Sequence, residues 1–308
     1  MPQPMIIPTI QDPSLIKEED IKKYLVKMPR QNTEIIFFGS DSWSIHVLKA
    51  LEDNFDMVAV VTAPDSPVAH YFKSLILTPE KLDKNFEFRI SNFEFDLAVV
   101  ASYGKIIPQT ILEIPKFGFL NVHPSLLPKY RGPSPVPATI LNGDKETGVT
   151  IIKMDEKMDH GPIVFTKKIS LSGQEDFPTL INKLFQLGGE VLVEIIPDYI
   201  AGKIKPMVQR HTVATYCPLL TRESGYFNIE NPPSAEIMDR LIRAYFPWPG
   251  VWTRWSPSRH PERSEGSKIV KFLPGGLLQM EGKKPLALKD FLNGYPDFPI
   301  KSITIDKK

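Results

Sequence analysis

The chain has 308 residues, 42% of them hydrophobic and 24% charged, with a formal net charge of +1 and a single cysteine, Cys217. That length exceeds the usual single domain, so two domains are expected. A lone cysteine excludes an intramolecular disulfide and a cysteine-rich metal site, which matches a reducing cytoplasm, and the near-neutral total does not by itself announce a polyanion partner. Residues 1–33 form an N-terminal extension with early acids and prolines and no basic-then-apolar signal pattern, in which one short helix is expected over 14–26. From Glu34 the runs Glu-Ile-Ile-Phe-Phe-Gly-Ser, Met-Val-Ala-Val-Val-Thr, Asp-Leu-Ala-Val-Val-Ala-Ser, Gly-Phe-Leu-Asn-Val-His and Gly-Val-Thr-Ile-Ile-Lys-Met are apolar and mostly β-branched or aromatic. Helical spacing, as in Ile45, Leu48 and Leu51, separates the first of them. Such runs predict a parallel sheet covered on both faces, hence an α/β catalytic domain over 34–203.

A strand-like Ile-Val-Phe-Thr-Lys-Lys-Ile-Ser-Leu and a long helix over 177–200 complete that domain. Residues 204–232, with Pro206, Pro218 and Pro232 and little periodicity, read as a linker winding over a surface. Over 233–308 a helix capped by Ser234 is followed by short runs, Val-Trp-Thr-Arg-Trp, Lys-Ile-Val-Lys-Phe-Leu, Leu-Leu-Gln-Met, Pro-Leu-Ala-Leu-Lys-Asp-Phe-Leu and Lys-Ser-Ile-Thr-Ile, as in a small open β-barrel. The polar stretch 256–267 between two of these runs reads as a surface insertion. From position 206 onward 15 Lys and Arg face 10 Asp and Glu, giving +5, whereas residues 1–205 carry 22 against 26, giving −4. The basic charge is concentrated in the C-terminal part. No apolar run reaches the about 18 residues a membrane span needs, so no membrane partner is expected.

Chemistry is concentrated in two clusters. In Phe-Leu-Asn-Val-His, Asn121 and His123 are two apart, so an extended backbone puts both on one face, where two donors could meet one developing oxyanion. The second cluster, Lys-Met-Asp-Glu-Lys-Met-Asp-His-Gly-Pro, offers Asp155 and Asp159 as the acid that orients the imidazolium. Both also fit as turn acids. Asp159, in a loop shortly before Gly161, is the preferred partner, because Asp155 directly follows a strand and could cap a turn. There is no dinucleotide-binding glycine fingerprint after Gly39, the six histidines lack metal-ligand spacing, and Ser125 lacks a nucleophile elbow, so it reads as a turn residue.

Asn-Val-His-Pro-Ser-Leu-Leu-Pro together with the downstream Asp-His-Gly resembles the active-site elements of the 10-formyltetrahydrofolate-dependent formyltransferases. Within that superfamily the 134–152 segment, Ile-Arg-Ala-Tyr-Phe-Pro-Trp-Pro-Gly and Lys-Asp-Phe-Leu-Asn-Gly look like the methionyl-tRNA formyltransferases. The resemblance implies a Rossmann-like formyltransferase domain with a mostly parallel sheet, followed by a small open barrel like an OB-fold. It implies Asn121, His123 and Asp159 as the catalytic trio, and Ser125, Leu126, Leu127 and Pro128 as contacts to the folate, a co-substrate, with no metal. It implies formyl transfer to initiator methionyl-tRNA by a cytoplasmic monomer, with Lys129 and Arg131 beside the acceptor and Arg254, Lys268, Lys271, Lys283 and Lys284 on its phosphates. Ser66 stands where the family commonly has an arginine after Pro-Asp, and the segment up to Lys81 looks short, leaving His70 and Lys73 as its basic candidates. A sugar-nucleotide N-formyltransferase would share the trio and fit that shorter segment; formate-releasing hydrolysis and a non-catalytic tRNA-binding role are the remaining alternatives.

Overall fold

The computed structural model of the chain describes residues 31–256 and 267–300. The helix expected over 14–26, the strand expected at 301–305 and most of the 256–267 insertion lie outside them.

Seven strands build the main sheet: β1 (Gln31–Phe38), β2 (Phe55–Val61), β3 (Ile76–Leu77), β4 (Leu97–Val100), β5 (Phe119–His123), β6 (Glu146–Lys153) and β7 (Ile163–Ser170). Their order is β3-β2-β1-β4-β5-β6-β7, and the first five run parallel. Alternation along each strand feeds two separate cores. Ile35, Phe37, Leu97, Val99, Leu120 and Val122 point to one face, under α1 (Ser44–Asn54) and α6 (Phe177–Ile200). Ile36, Phe38, Ala98, Val100 and Phe119 point to the other, with Phe86 and Ile90 of α3 (Lys84–Ser91), which α2 (Pro67–Tyr71) precedes, and Ile111 and Leu112 of α4 (Gln109–Leu112). Burial of each such side chain is worth about 1.5–3 kcal/mol, and nearly continuous apolar strands are what two buried faces demand.

The strand at Gly148 to Met154 departs from the parallel expectation: β6 is antiparallel to β5, and β7 is antiparallel to β6. A parallel neighbour needs a crossover that travels back along the strand. Here the 124–145 connection stays at the carboxyl end of β5. Leu127 N donates to Thr150 Oγ1 (3.1 Å), whose hydroxyl donates to Ser125 O (2.7 Å), and α5 (Pro135–Leu141) has too few turns to return.

Beyond the main sheet, α7 (Ala235–Tyr245) begins at Ser234, whose hydroxyl accepts from Ile237 N (3.3 Å). A second sheet, antiparallel, contains β8 (Val251–Trp255), β9 (Lys268–Leu273), β10 (Leu277–Met280) and β11 (Leu286–Ala287) in the order β11-β10-β9-β8. Pro-Leu-Ala-Leu-Lys-Asp-Phe-Leu, expected as a barrel strand, is strand only at Leu286–Ala287 and then forms α8 (Leu288–Gly294). The helical spacing of Leu288, Phe291 and Leu292 prevails because it drives Phe291 into the core, where it is buried against Phe298 and Tyr295. Among the described residues no helix is long and apolar enough to cross a membrane.

Candidate active site

Asn121 and His123 lie at the carboxyl end of β5 on the face opposite Leu120 and Val122, which are locked into the core. Period-2 alternation therefore fixes both polar side chains by the packing of their apolar neighbours. His123 is buried, with Nε2 2.9 Å from Tyr130 O and Nδ1 3.5 Å from Asp159 Oδ1. Asn121 Nδ2 donates toward the same carboxylate oxygen at 3.4 Å. The two side chains and Asp159 thus meet at one point, and both imidazole nitrogens face acceptors.

Asp159 reaches that point because the loop after β6 folds back over the sheet. Its other oxygen accepts from Gly132 N (2.7 Å), and its own backbone is left-handed at φ 50°. Gly161 makes the fold-back possible: a Cβ there would lie 1.9 Å from the carbonyl oxygen of Lys153, against backbone that cannot yield. Gly161→Ala is expected to destabilise the protein by about 3 kcal/mol or more, read as a lowered urea midpoint. Asp155 does cap the turn: its carboxylate accepts from Lys157 N (3.0 Å) and faces His160 Nδ1 (2.6 Å).

The segment after His123 is packed into the fold beside the sheet. Ser125 is fully buried, and its hydroxyl donates to Lys129 O (2.6 Å); Leu126 packs beside Gly148, Leu127 is buried, and the Leu127–Pro128 peptide is cis. None of Ser125, Leu126, Leu127 or Pro128 lines the cavity at the trio. They pack behind His123 against β6, and their polar groups are spent on His123, Lys129, Thr150 and Thr215. Arg131, expected to reach outward to an acceptor, is only 2% exposed and turns inward. Its Nη2 donates to Gln209 Oε1 (2.6 Å) and faces His211 Nδ1 (2.8 Å). Lys129 is half-exposed and pairs with Asp144 (2.7 Å).

The linker is stitched to the site. Arg131 N donates to Thr215 O (2.8 Å), Cys217 N donates to Arg131 O (2.8 Å), and Met207 pairs with Ile163 of β7. Gly132 sits at φ 112° with its α-carbon so close to Cys217 O that a Cβ would come within 2.3 Å. Burial pushes the Cys217 thiol up from its ordinary value, so it is a packed, protonated side chain. His160 stacks on His211 with ring centroids 4.0 Å apart and 4° between planes. Gln209 and Gly132 escaped the sequence reading because their hydrogen bonds span 27 to 78 positions, and no local pattern encodes them.

In front of the trio lies a cavity of about 390 Å³ whose walls include Val100, Tyr103, Ile106, Ile107 and Met154. Burial pushes the Tyr103 phenol up to about 12, so it is neutral at any working pH. The cavity lies at the carboxyl ends of β4 and β5, where open α/β sheets bind their ligands. Among the described residues no group of three or more His, Cys, Asp or Glu is placed to hold a metal ion. Ser66 serves the local structure, since its hydroxyl caps α2, accepting from Ala69 N (3.0 Å), and lies 2.7 Å from Thr62 Oγ1.

Residues 26–196 match the family described as Formyl transferase. Methionyl-tRNA formyltransferase of Enterococcus faecalis is 36% identical over 302 residues, covering 85% of this chain and 96% of that protein. The enzyme of the same name from Roseiflexus sp. is 41% identical over 238 residues, covering 72% of this chain and 73% of its own. Among solved structures, a sugar N-formyltransferase from Shewanella superposes with a TM-score of 0.62 at 18% identity, over 82% of this chain and 99% of that one. Methionyl-tRNA formyltransferase from Clostridium thermocellum gives 0.54 at 20% identity, over 83% and 96%. Those two likenesses establish the fold alone, and the substrate branch is set by the sequence relatives: the chain belongs to the methionyl-tRNA formyltransferase family.

Proposed function

We propose that this protein transfers the formyl group of 10-formyltetrahydrofolate to the α-amine of methionyl initiator tRNA, in the cytoplasm. The observation that carries the chemistry is the meeting of Asn121 Nδ2 and His123 Nδ1 at the carboxylate of Asp159, 3.4 and 3.5 Å from its Oδ1, which brings an amide, an imidazole and an acid to one point at the cavity. The family relatives supply the substrates. The donor contributes the formyl carbon, and its flat reduced pterin suits the largely apolar cavity beside Tyr103 and Ile107, rather than the 125–128 segment, whose part we take to be holding His123. The neutral amine attacks the formyl carbon directly, Asn121 Nδ2 and His123 Nδ1 turn from Asp159 to donate to the oxyanion, and Asp159 takes the amine proton, directly or through water; the tetrahedral intermediate then collapses with cleavage of the formyl carbon–N10 bond, and N10 takes up a proton and leaves as tetrahydrofolate. No covalent enzyme intermediate is needed.

In the same reading the chain divides into a catalytic domain (34–203), a linker (204–232) and a C-terminal domain (233–308) that completes an open OB-like barrel around the four-stranded sheet. A monomer suffices, since all three catalytic groups come from one chain. Arg254, Lys268, Lys271, Lys283 and Lys284 then meet tRNA phosphates. A plot of log binding constant against log salt should have a slope on the order of −4 for five such contacts; a flat plot removes the phosphate-tracking role.

Labelled formyl donor offered with initiator methionyl-tRNA, elongator methionyl-tRNA and amino-sugar nucleotides tests the function. Formylation of the initiator species alone is the expected result. Comparable use of both tRNAs would mean that the short segment from Ser66 to Lys81 does not discriminate, and formylated sugar nucleotide would replace the reading with its rival.

A further inference from the structure

A buried guanidinium normally finds a carboxylate. Among the described residues no Asp or Glu pairs with Arg131, although it is only 2% exposed. Its partners are instead two neutral side chains from the linker, Gln209 and His211, with Tyr216 OH at 3.4 Å from Nη1. Gln209 is itself buried and is fully used. Its Oε1 accepts from Arg131 Nε (3.2 Å) and Nη2 (2.6 Å), and its Nε2 donates to Asp159 O (2.9 Å) and Gly161 O (2.7 Å). One amide therefore ties Arg131 to the backbone on both sides of His160, next to the catalytic carboxylate. His211 closes the same loop from outside, since its ring stacks on His160 while His160 is held by Asp155.

We infer that Gln209 and His211 are positioning residues for the transfer reaction: with Arg131 as anchor, they clamp the 155–161 loop so that Asp159 stays aimed at His123. The inference rests on the formyl-transfer reading above, but the clamp itself is a feature of the loop. It needs neutral side chains at both positions. A carboxylate at 209 would still accept from Arg131, but it has no N–H for the two carbonyls. A protonated His211 would turn an N–H toward the guanidinium in place of its lone pair.

His211 is held below its ordinary value of 6.5 by desolvation, by His160 and by Arg131, with Lys157 adding to this and Asp155 opposing it. The clamp is therefore intact above 6.5 and is lost as the pH falls through the lowered folded-state value.

The test uses the full chain with Gln209→Glu, His211→Asn and, as a control in the same linker, Val208→Ala. Gln209→Glu keeps size and shape, and is expected to lower kcat by about tenfold to a hundredfold with little change in either KM, since a misaimed carboxylate costs rate before it costs binding. In His211→Asn the amide oxygen replaces Nδ1 as an acceptor at every pH, so the acid-side fall of kcat expected of the wild type should become shallower. Amide hydrogen exchange over 155–161 should quicken in Gln209→Glu and stay at the wild-type rate in Val208→Ala. That measurement reads the clamp whatever the acceptor, so a wild-type protein inactive on methionyl-tRNA would remove the functional reading and leave the clamp to be judged by exchange. Wild-type exchange in Gln209→Glu, or an acid limb unchanged in His211→Asn, would overturn the inference.

Discussion

Asn121→Ala lowers kcat for formyl transfer by about 10²–10³, equivalent to about 2.7–4 kcal/mol, while KM for donor and acceptor stays within about threefold. The expectation follows from where the side chain points. Its Nδ2 and His123 Nδ1 both lie beside Asp159 Oδ1 at the cavity, and the flanking Leu120 and Val122 are buried, so removing the amide deletes a donor without opening the core. A donor used only on the oxyanion contributes to the transition state and not to ground-state binding, which is why the loss belongs in kcat. Steady-state kinetics at saturating donor with varied acceptor measures the split. A loss confined to KM would place Asn121 in substrate binding and remove the oxyanion assignment.

Asp159→Asn is the second large effect, a fall in kcat/KM of about 10²–10⁴ with folding nearly unchanged. Both oxygens of the carboxylate are engaged: Oδ2 accepts from Gly132 N at 2.7 Å, and Oδ1 faces Asn121 and His123. An amide has one acceptor. If its oxygen keeps the Gly132 bond, its NH2 turns two protons toward groups that are themselves donors, and the imidazolium loses its orienting charge. Activity within about threefold of the wild type would end the assignment of Asp159 to the trio. Thermal unfolding of the same variant should move little, because the left-handed backbone at 159 suits asparagine as well as aspartate.

Much of this architecture was legible from residue pattern. The helix expected over 177–200 is found at Phe177–Ile200, and Ser234 caps its helix as its residue type suggests. Both are local: a long stretch of apolar helical spacing or a hydroxyl at a helix start carries its own physical cause. The antiparallel β6 was not legible, because an apolar β-branched strand reads the same in either direction and only the path of the 124–145 connection decides it. Leu288 to Leu292 was misread for a related reason, since a short apolar run fits either period until a core claims Phe291.

By itself the sequence determined that Asn121 and His123 share a face, because strand alternation is a property of the backbone. It singled out Asp159 over Asp155 through the nearby Gly161, and the long ordered resemblance named the formyl group. Tertiary structure alone decided what surrounds them. Ser125, Leu126, Leu127 and Pro128 pack behind His123 and do not line the cavity, and Arg131 turns inward to Gln209 rather than outward to an acceptor. These outcomes depend on contacts between residues far apart in the chain, such as Tyr130 N donating to Thr215 Oγ1 across 85 positions. A charged or polar side chain carries no mark in sequence of whether its partner will be water or another segment of the chain.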